Sequence, residues 1–77
     1  MTLLEIYRSN KYPGFFEVNQ LYHTITEGNT LFEIRYRQPM GGNGFNAPSE
    51  TLFTDPDRRK LLERFRAWEP SAVRVTG

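Results

Sequence analysis

Five groups of residues carry the types from which chemistry could be built. They are the acids Glu17 and Glu33, the single His23, the basic triplet Arg58-Arg59-Lys60, the glycine-rich stretch QPMGGNGFNAPSE at residues 38–50, and a set of polar and aromatic residues around Tyr22, Arg35 and Arg37. Glycoside hydrolysis needs two carboxyl groups held across a sugar-sized cleft. Glu17 and Glu33 can project from neighbouring strands, but nothing in the sequence implies a cleft between them. Zinc needs three or four converging ligands. His23 stands in a chain with no cysteine, so it is expected to be a hydrogen-bonded histidine on the core side of a strand. Ser9, Ser49 and Ser71 fall in turn-like or strand-edge contexts and do not form a nucleophile–base pair with it. The expectation is therefore no catalytic residue, no metal and no cofactor.

The glycine-rich stretch fails as a phosphate loop. A P-loop ends its glycines in Lys-Ser/Thr, whereas Gly44 is followed by Phe45-Asn46, and no Lys or Arg lies between Arg37 and Arg58. Dinucleotide binding needs a helix opening at the glycines, and none is predicted there. The stretch is then either a slack connection between strands or a functional loop, on which Met40 and Phe45 are apolar side chains of the kind that anchors a protein partner. The triplet Arg58-Arg59-Lys60 is predicted in the first turn of a helix, where cations oppose the helix dipole. The triplet is either a tolerated surface charge cluster or a contact for an anion or an acidic partner surface.

These groups must be positioned by strands and one helix. Residues 21–26 and 31–37 flank Glu27-Gly28-Asn29-Thr30, and Gly-Asn suits a two-residue primed turn. That register sets Ile25 opposite Phe32, His23 opposite Ile34 and Leu21 opposite Tyr36. The other face then carries Gln20, Tyr22, Thr24, Glu33, Arg35 and Arg37, with Tyr22 opposite Arg35 as a cation–π pair. Residues 3–8 read as a strand. Tyr12-Pro13-Gly14-Phe15 fits a type II turn, with Gly14 at positive φ. Phe16 and Val18 alternate out of phase with Leu21, which calls for a bulge near Asn19-Gln20. A short strand at residues 50–53 leads into a helix capped by Asp55 with Pro56 at its first position. Leu61, Leu62, Phe65 and Trp68 share one side of that helix. Glu63, near Arg59, Lys60 and Arg66, reads as part of an ion-paired outer face. Pro70 stops the helix, and residues 72–76 alternate as a last strand.

The order β-β-β-loop-β-α-β over residues 1–77 describes a single α+β domain. Its small twisted antiparallel sheet of about four to five strands is packed by one helix in the C-terminal half. The alternative is an SH3-like, partly open barrel. Residues 16–54 loosely resemble small bacterial SH3-like domains, in which a strand leads into a His-Ser-Glu-Thr turn and a proline-led segment closes the barrel. Here the turn reads His23-Thr24-Ile25-Thr26, without the Ser-Glu pair, and Pro48 precedes the next strand. This resemblance implies a barrel and no particular activity.

Composition bounds the function class. A chain of 77 residues buries only about 60% of its unfolded surface, which leaves little room for both a core and a deep site. Net charge is +1, split as four basic and four acidic residues in 1–38 and six and five in 39–77, so bulk electrostatics steers toward neither nucleic acid nor lipid. The absence of cysteine and of a basic, apolar N-terminus points to the cytoplasm. No apolar run has the length of a membrane span. The reading is a small non-catalytic binding module: an adaptor, subunit or inhibitor of the phage- or plasmid-encoded type. Its interface would join Met40 and Phe45 to Tyr22, Arg35 and Arg37, with Arg58, Arg59 and Lys60 as a second surface. The alternative is a nucleic-acid-binding domain using the aromatic and arginine face of the hairpin. An exposed edge strand would offer a homodimer contact.

Overall fold

A computed structural model describes residues 2–21, 30–39 and 48–75. Its elements follow the predicted order: β1 (Thr2–Arg8), β2 (Phe15–Gln20), β3 (Phe32–Arg37), β4 (Ser49–Asp55), α1 (Arg58–Trp68) and β5 (Val73–Arg74). The five strands form one antiparallel sheet in the order β4-β3-β2-β1-β5. The sheet does not close, so the barrel alternative is set aside.

One face of the sheet is covered by α1. Tyr7, Phe16, Val18 and Ile34 from the strands meet Leu61 and Phe65 of the helix, and all six are buried. Aromatic rings do much of the filling. Phe65 lies edge-on to Tyr7 at 5.5 Å and tilted against Phe16 at 5.0 Å. Leu62 is half-buried beside this core. Trp68, the last helical residue, is 42% exposed yet stacks on Tyr12 at 5.5 Å and meets Phe16 and Phe53 edge-on. Burying each large apolar side chain contributes roughly 1.5–3 kcal/mol, so this single layer carries most of the hydrophobic stabilisation.

The partner of β3 differs from the hairpin expectation. Its inward residues are those predicted: Phe32, Ile34 and Tyr36. However, Ile34 stands opposite Val18 and Tyr36 opposite Phe16, in place of His23 and Leu21. The two-residue-turn register would leave Phe16 and Val18 without β3 as a neighbour. The observed one sets Phe16 against Tyr36 at 5.0 Å and adds Leu21 N donating to Leu31 O at 2.7 Å. Closing a connection of about ten residues rather than two costs on the order of 1–2 kcal/mol in chain entropy, which the packing of two aromatic residues exceeds. His23, Tyr22 and the predicted turn lie outside the described residues.

Three local expectations are also corrected. β2 pairs without interruption, and the register shifts fall in β1 between Leu3 and Glu5 and in the β3–β4 pair between Ile34 and Arg35. Gly14 is not at positive φ. A Cβ there would collide with the Arg37 carbonyl oxygen and lie 2.9 Å from the Tyr36 ring, so the glycine makes room for β3. The helix N-cap is Asp57, whose Oδ1 accepts from Arg59 N at 2.9 Å and Lys60 N at 3.3 Å. Asp55 ends β4 and accepts from Asp57 N at 2.7 Å. The carboxylate that reaches free helical N–H groups is thus the second of the two aspartates around Pro56. Among the described residues no helix is long and apolar enough to cross a membrane.

Candidate functional site: the open face of the sheet

Residues directly opposite in an antiparallel sheet point to the same face. The face away from α1 therefore carries Ile6 and Arg8 of β1, Phe15, Glu17 and Asn19 of β2, Glu33, Arg35 and Arg37 of β3, and Ser49 and Thr51 of β4. Leu3 joins them opposite Asn19, and Val73 opposite Arg8. Val75, whose N–H donates to Ile6 O at 2.9 Å, lies two residues beyond Val73 and shares its side.

The half of this face over β2, β3 and β4 is a hydrogen-bonded polar network. Glu33 is only 2% exposed. Its Oε1 accepts from Asn19 Nδ2 and Arg35 Nε, both at 3.1 Å, and its Oε2 accepts from Thr51 Oγ1 at 2.8 Å. Burial pushes the Glu33 carboxyl up. The bonds from Arg35, Thr51 and Asn19 outweigh burial and hold it below the usual carboxylate value. Arg35 also donates to Ser49 Oγ at 3.0 Å and to Thr51 Oγ1 at 3.1 Å. Arg37 clasps Glu17 with two nitrogens, at 2.8 and 3.3 Å, and this pairing raises its guanidinium pKa further. The two arginines singled out in the sequence are thus together on one surface, each tied to a carboxylate. Arg35 faces Glu17 across the strands, not Tyr22. Tyr22, Met40 and Phe45 lie outside the described residues.

The other half, over β5, β1 and the start of β2, carries most of the exposed apolar side chains. Among the described residues seven large apolar side chains are exposed, and four of them, Leu3, Phe15, Val73 and Val75, sit here. Leu3 is 51% and Val73 60% exposed. Arg8 lies over the Phe15 ring at 5.1 Å and opposite Val73, so it stands between the two. Periodicity alone could not find this strip, because it is assembled from residues about 70 apart in sequence.

The basic triplet divides. Arg58 turns to Glu5, a buried carboxylate on the helix side of β1, at 3.2 Å, and Arg74 of β5 meets the same group at 3.3 Å. The cation that opposes the helix dipole thereby compensates a buried acid. Arg59 and Lys60 stay exposed, but the helix N–H groups beside them already bind Asp57. Among the described residues Glu63 makes no ion pair with Arg59, Lys60 or Arg66, contrary to the ion-paired face expected.

The serine hydroxyls are engaged in structure. Ser9 accepts from Tyr12 N and Ser49 from Arg35, while Ser71 accepts from Asn10 N and donates to Glu69. Glu69 is buried at the helix C-terminus. Burial raises its pKa, but the Ser71 N–H and hydroxyl, with Lys11 and Ser9, bring it below the ordinary value. Compared with known protein families, with curated proteins and with solved structures, the chain matches none.

Proposed function

We propose that this domain is a non-catalytic, cytoplasmic binding module that recognises another protein through the open face of its sheet. The observation that carries the reading is the gathering of Leu3, Phe15, Val73 and Val75 on the face opposite the helix. Exposed apolar side chains gathered on one face among charged groups are a mark of a protein-binding surface. Here Arg8 stands between Phe15 and Val73 and the Arg37–Glu17 pair lies beside Phe15, and a mixed apolar, aromatic and arginine surface has the composition of an interface. An adaptor, subunit or inhibitor acts in this way.

The nucleic-acid reading has less support. It relies on Arg35 and Arg37 meeting phosphate, and both guanidinium groups are bound to carboxylates, which a phosphate would have to displace. The test between the two is fluorescence anisotropy of labelled single- and double-stranded DNA and RNA at low and physiological salt. The expected result is no binding at either. Micromolar binding that falls steeply with salt, and falls again in Arg35→Ala and Arg37→Ala, overturns the protein-binding reading.

A further inference from the structure

The two edges of the sheet are unequal. β5 is two residues long, whereas β4 is seven, and no strand of the described residues pairs with the outer side of β4. Such an edge is a template for another strand. Ser49, Glu50 and Thr51 are exposed along it, and neither Lys nor Pro interrupts it between Pro48 and Pro56. Two further residues define what could pair there. Glu50, opposite Tyr36, is on the helix side of the sheet and makes no ion pair among the described residues. Arg64 reaches from the helix to the far end of the same strand. It lies over the Phe53 ring at 5.2 Å, donates to Thr54 O at 3.2 Å, and keeps a loose 3.8 Å contact with Asp55.

We propose that β4 pairs antiparallel with β4 of a second copy of this chain, forming a two-fold dimer with a continuous ten-stranded sheet. Charge complementarity selects a second copy as the partner. An antiparallel two-fold pairing with its axis between Thr51 and Leu52 sets Glu50 of one copy opposite Phe53 of the other on the helix side, and Ser49 opposite Thr54 on the open side. Glu50 and Arg64 stand on the same, helix side of the sheet, so each Glu50 meets the other copy's Arg64. The contact is isologous and contains the ion pair twice. A strand of another protein would have to supply both the acid and the base in this order, whereas this chain already does. Leu52 is the extra residue where the β3–β4 register shifts, so Ser49–Thr51 and Phe53–Asp55 are the regular segments that pair. The inference is independent of the open-face reading, because that face stays uncovered in such a dimer.

The test is sedimentation equilibrium of the full chain from about 5 to 500 µM, since an edge-to-edge contact is at the small end of interfaces and belongs in the micromolar range. The 9.0 kDa chain is expected to associate to twice its mass. Glu50→Arg should weaken the dimer at least about tenfold, and Glu50→Arg with Arg64→Glu should restore it, as close charge pairs across interfaces couple strongly. Glu50→Gln, which keeps the size and removes the charge, should weaken it less and reduce its salt dependence, and it carries the same comparison should Arg64→Glu fail to fold. A monomer throughout the range overturns the proposal. So does a dimer indifferent to Glu50→Arg and Glu50→Gln, or one broken by Val73→Asp alone, which would put the contact on the open face.

Discussion

Arg35 Nε donates to Glu33 Oε1 at 3.1 Å, and the two side chains come from the same face of one strand, two residues apart. This local pair is completed by β2 and β4, through Asn19 and Thr51, into a closed polar network on an otherwise open sheet face. It spends on architecture the arginine that the sequence offered for recognition. Arg35→Ala should therefore act on stability first. It leaves a buried carboxylate without its cation and should cost about 2–4 kcal/mol in urea unfolding. Glu33→Gln should cost less than Arg35→Ala, because Gln retains an acceptor and Arg35 is partly solvated. Equal and negligible costs would show that the network is not a structural unit.

The same carboxylates set the acid response. Glu33 and Glu69 are both held below the ordinary carboxylate value in the folded chain. A depressed folded pKa contributes stability that is present above the unfolded pKa and is lost as pH falls through the folded one. Stability should be flat down to about pH 5 and fall progressively below about 4.3, the ordinary carboxyl value. Glu33→Gln should shallow that fall in a pH series of thermal melts. An unchanged slope would remove Glu33 from the account.

Asp57, not Asp55, receives the first free N–H groups of α1. Asp57→Ala should cost about 0.5–2 kcal/mol. Asp55→Ala, which removes a bond to Asp57 N and the loose contact to Arg64, should cost less. The reverse order, read by chemical denaturation followed at Trp68, would return the cap to Asp55.

Gly14 is a site of close approach, with Tyr36 Oη accepting its N–H at 3.1 Å and β3 where a Cβ would stand. Gly14→Ala should be strongly destabilising, and Gly14→Asn no better. At a left-handed glycine Asn is the tolerated replacement, so a rescue by Asn would contradict the geometry.

What was legible in the sequence was whatever local rules control. The inward phase of Phe32, Ile34 and Tyr36, the α1 stripe through Leu61 and Phe65, and the order of elements all follow from periodicity and stops. What failed depended on choices made elsewhere in the chain. The Gly28-Asn29 turn signal named a neighbour for β3, but the choice between residues 21–26 and Phe15–Gln20 was made by aromatic packing across the sheet. Asp55-Pro56-Asp57 offers two caps, and only the direction in which the chain leaves β4 selects one. Arg58 looked anomalous at a helix N-terminus because its reason, Glu5, is 53 residues away. The apolar strip escaped notice for the same cause: Leu3 and Phe15 are ordinary strand residues until β5 brings Val73 and Val75 beside them.

The central claim, that the open face receives a protein, is tested most directly by affinity capture from a nuclease-treated cytoplasmic extract. The captured proteins of the wild type would be compared with those of Phe15→Ser with Val73→Asp, and with Glu63→Ala on the exposed helix surface as control. One or a few proteins should be held by the wild type and the control and lost from the double variant, with circular dichroism showing all three folded. Capture that survives the double variant, or that disappears with the nuclease, contradicts it.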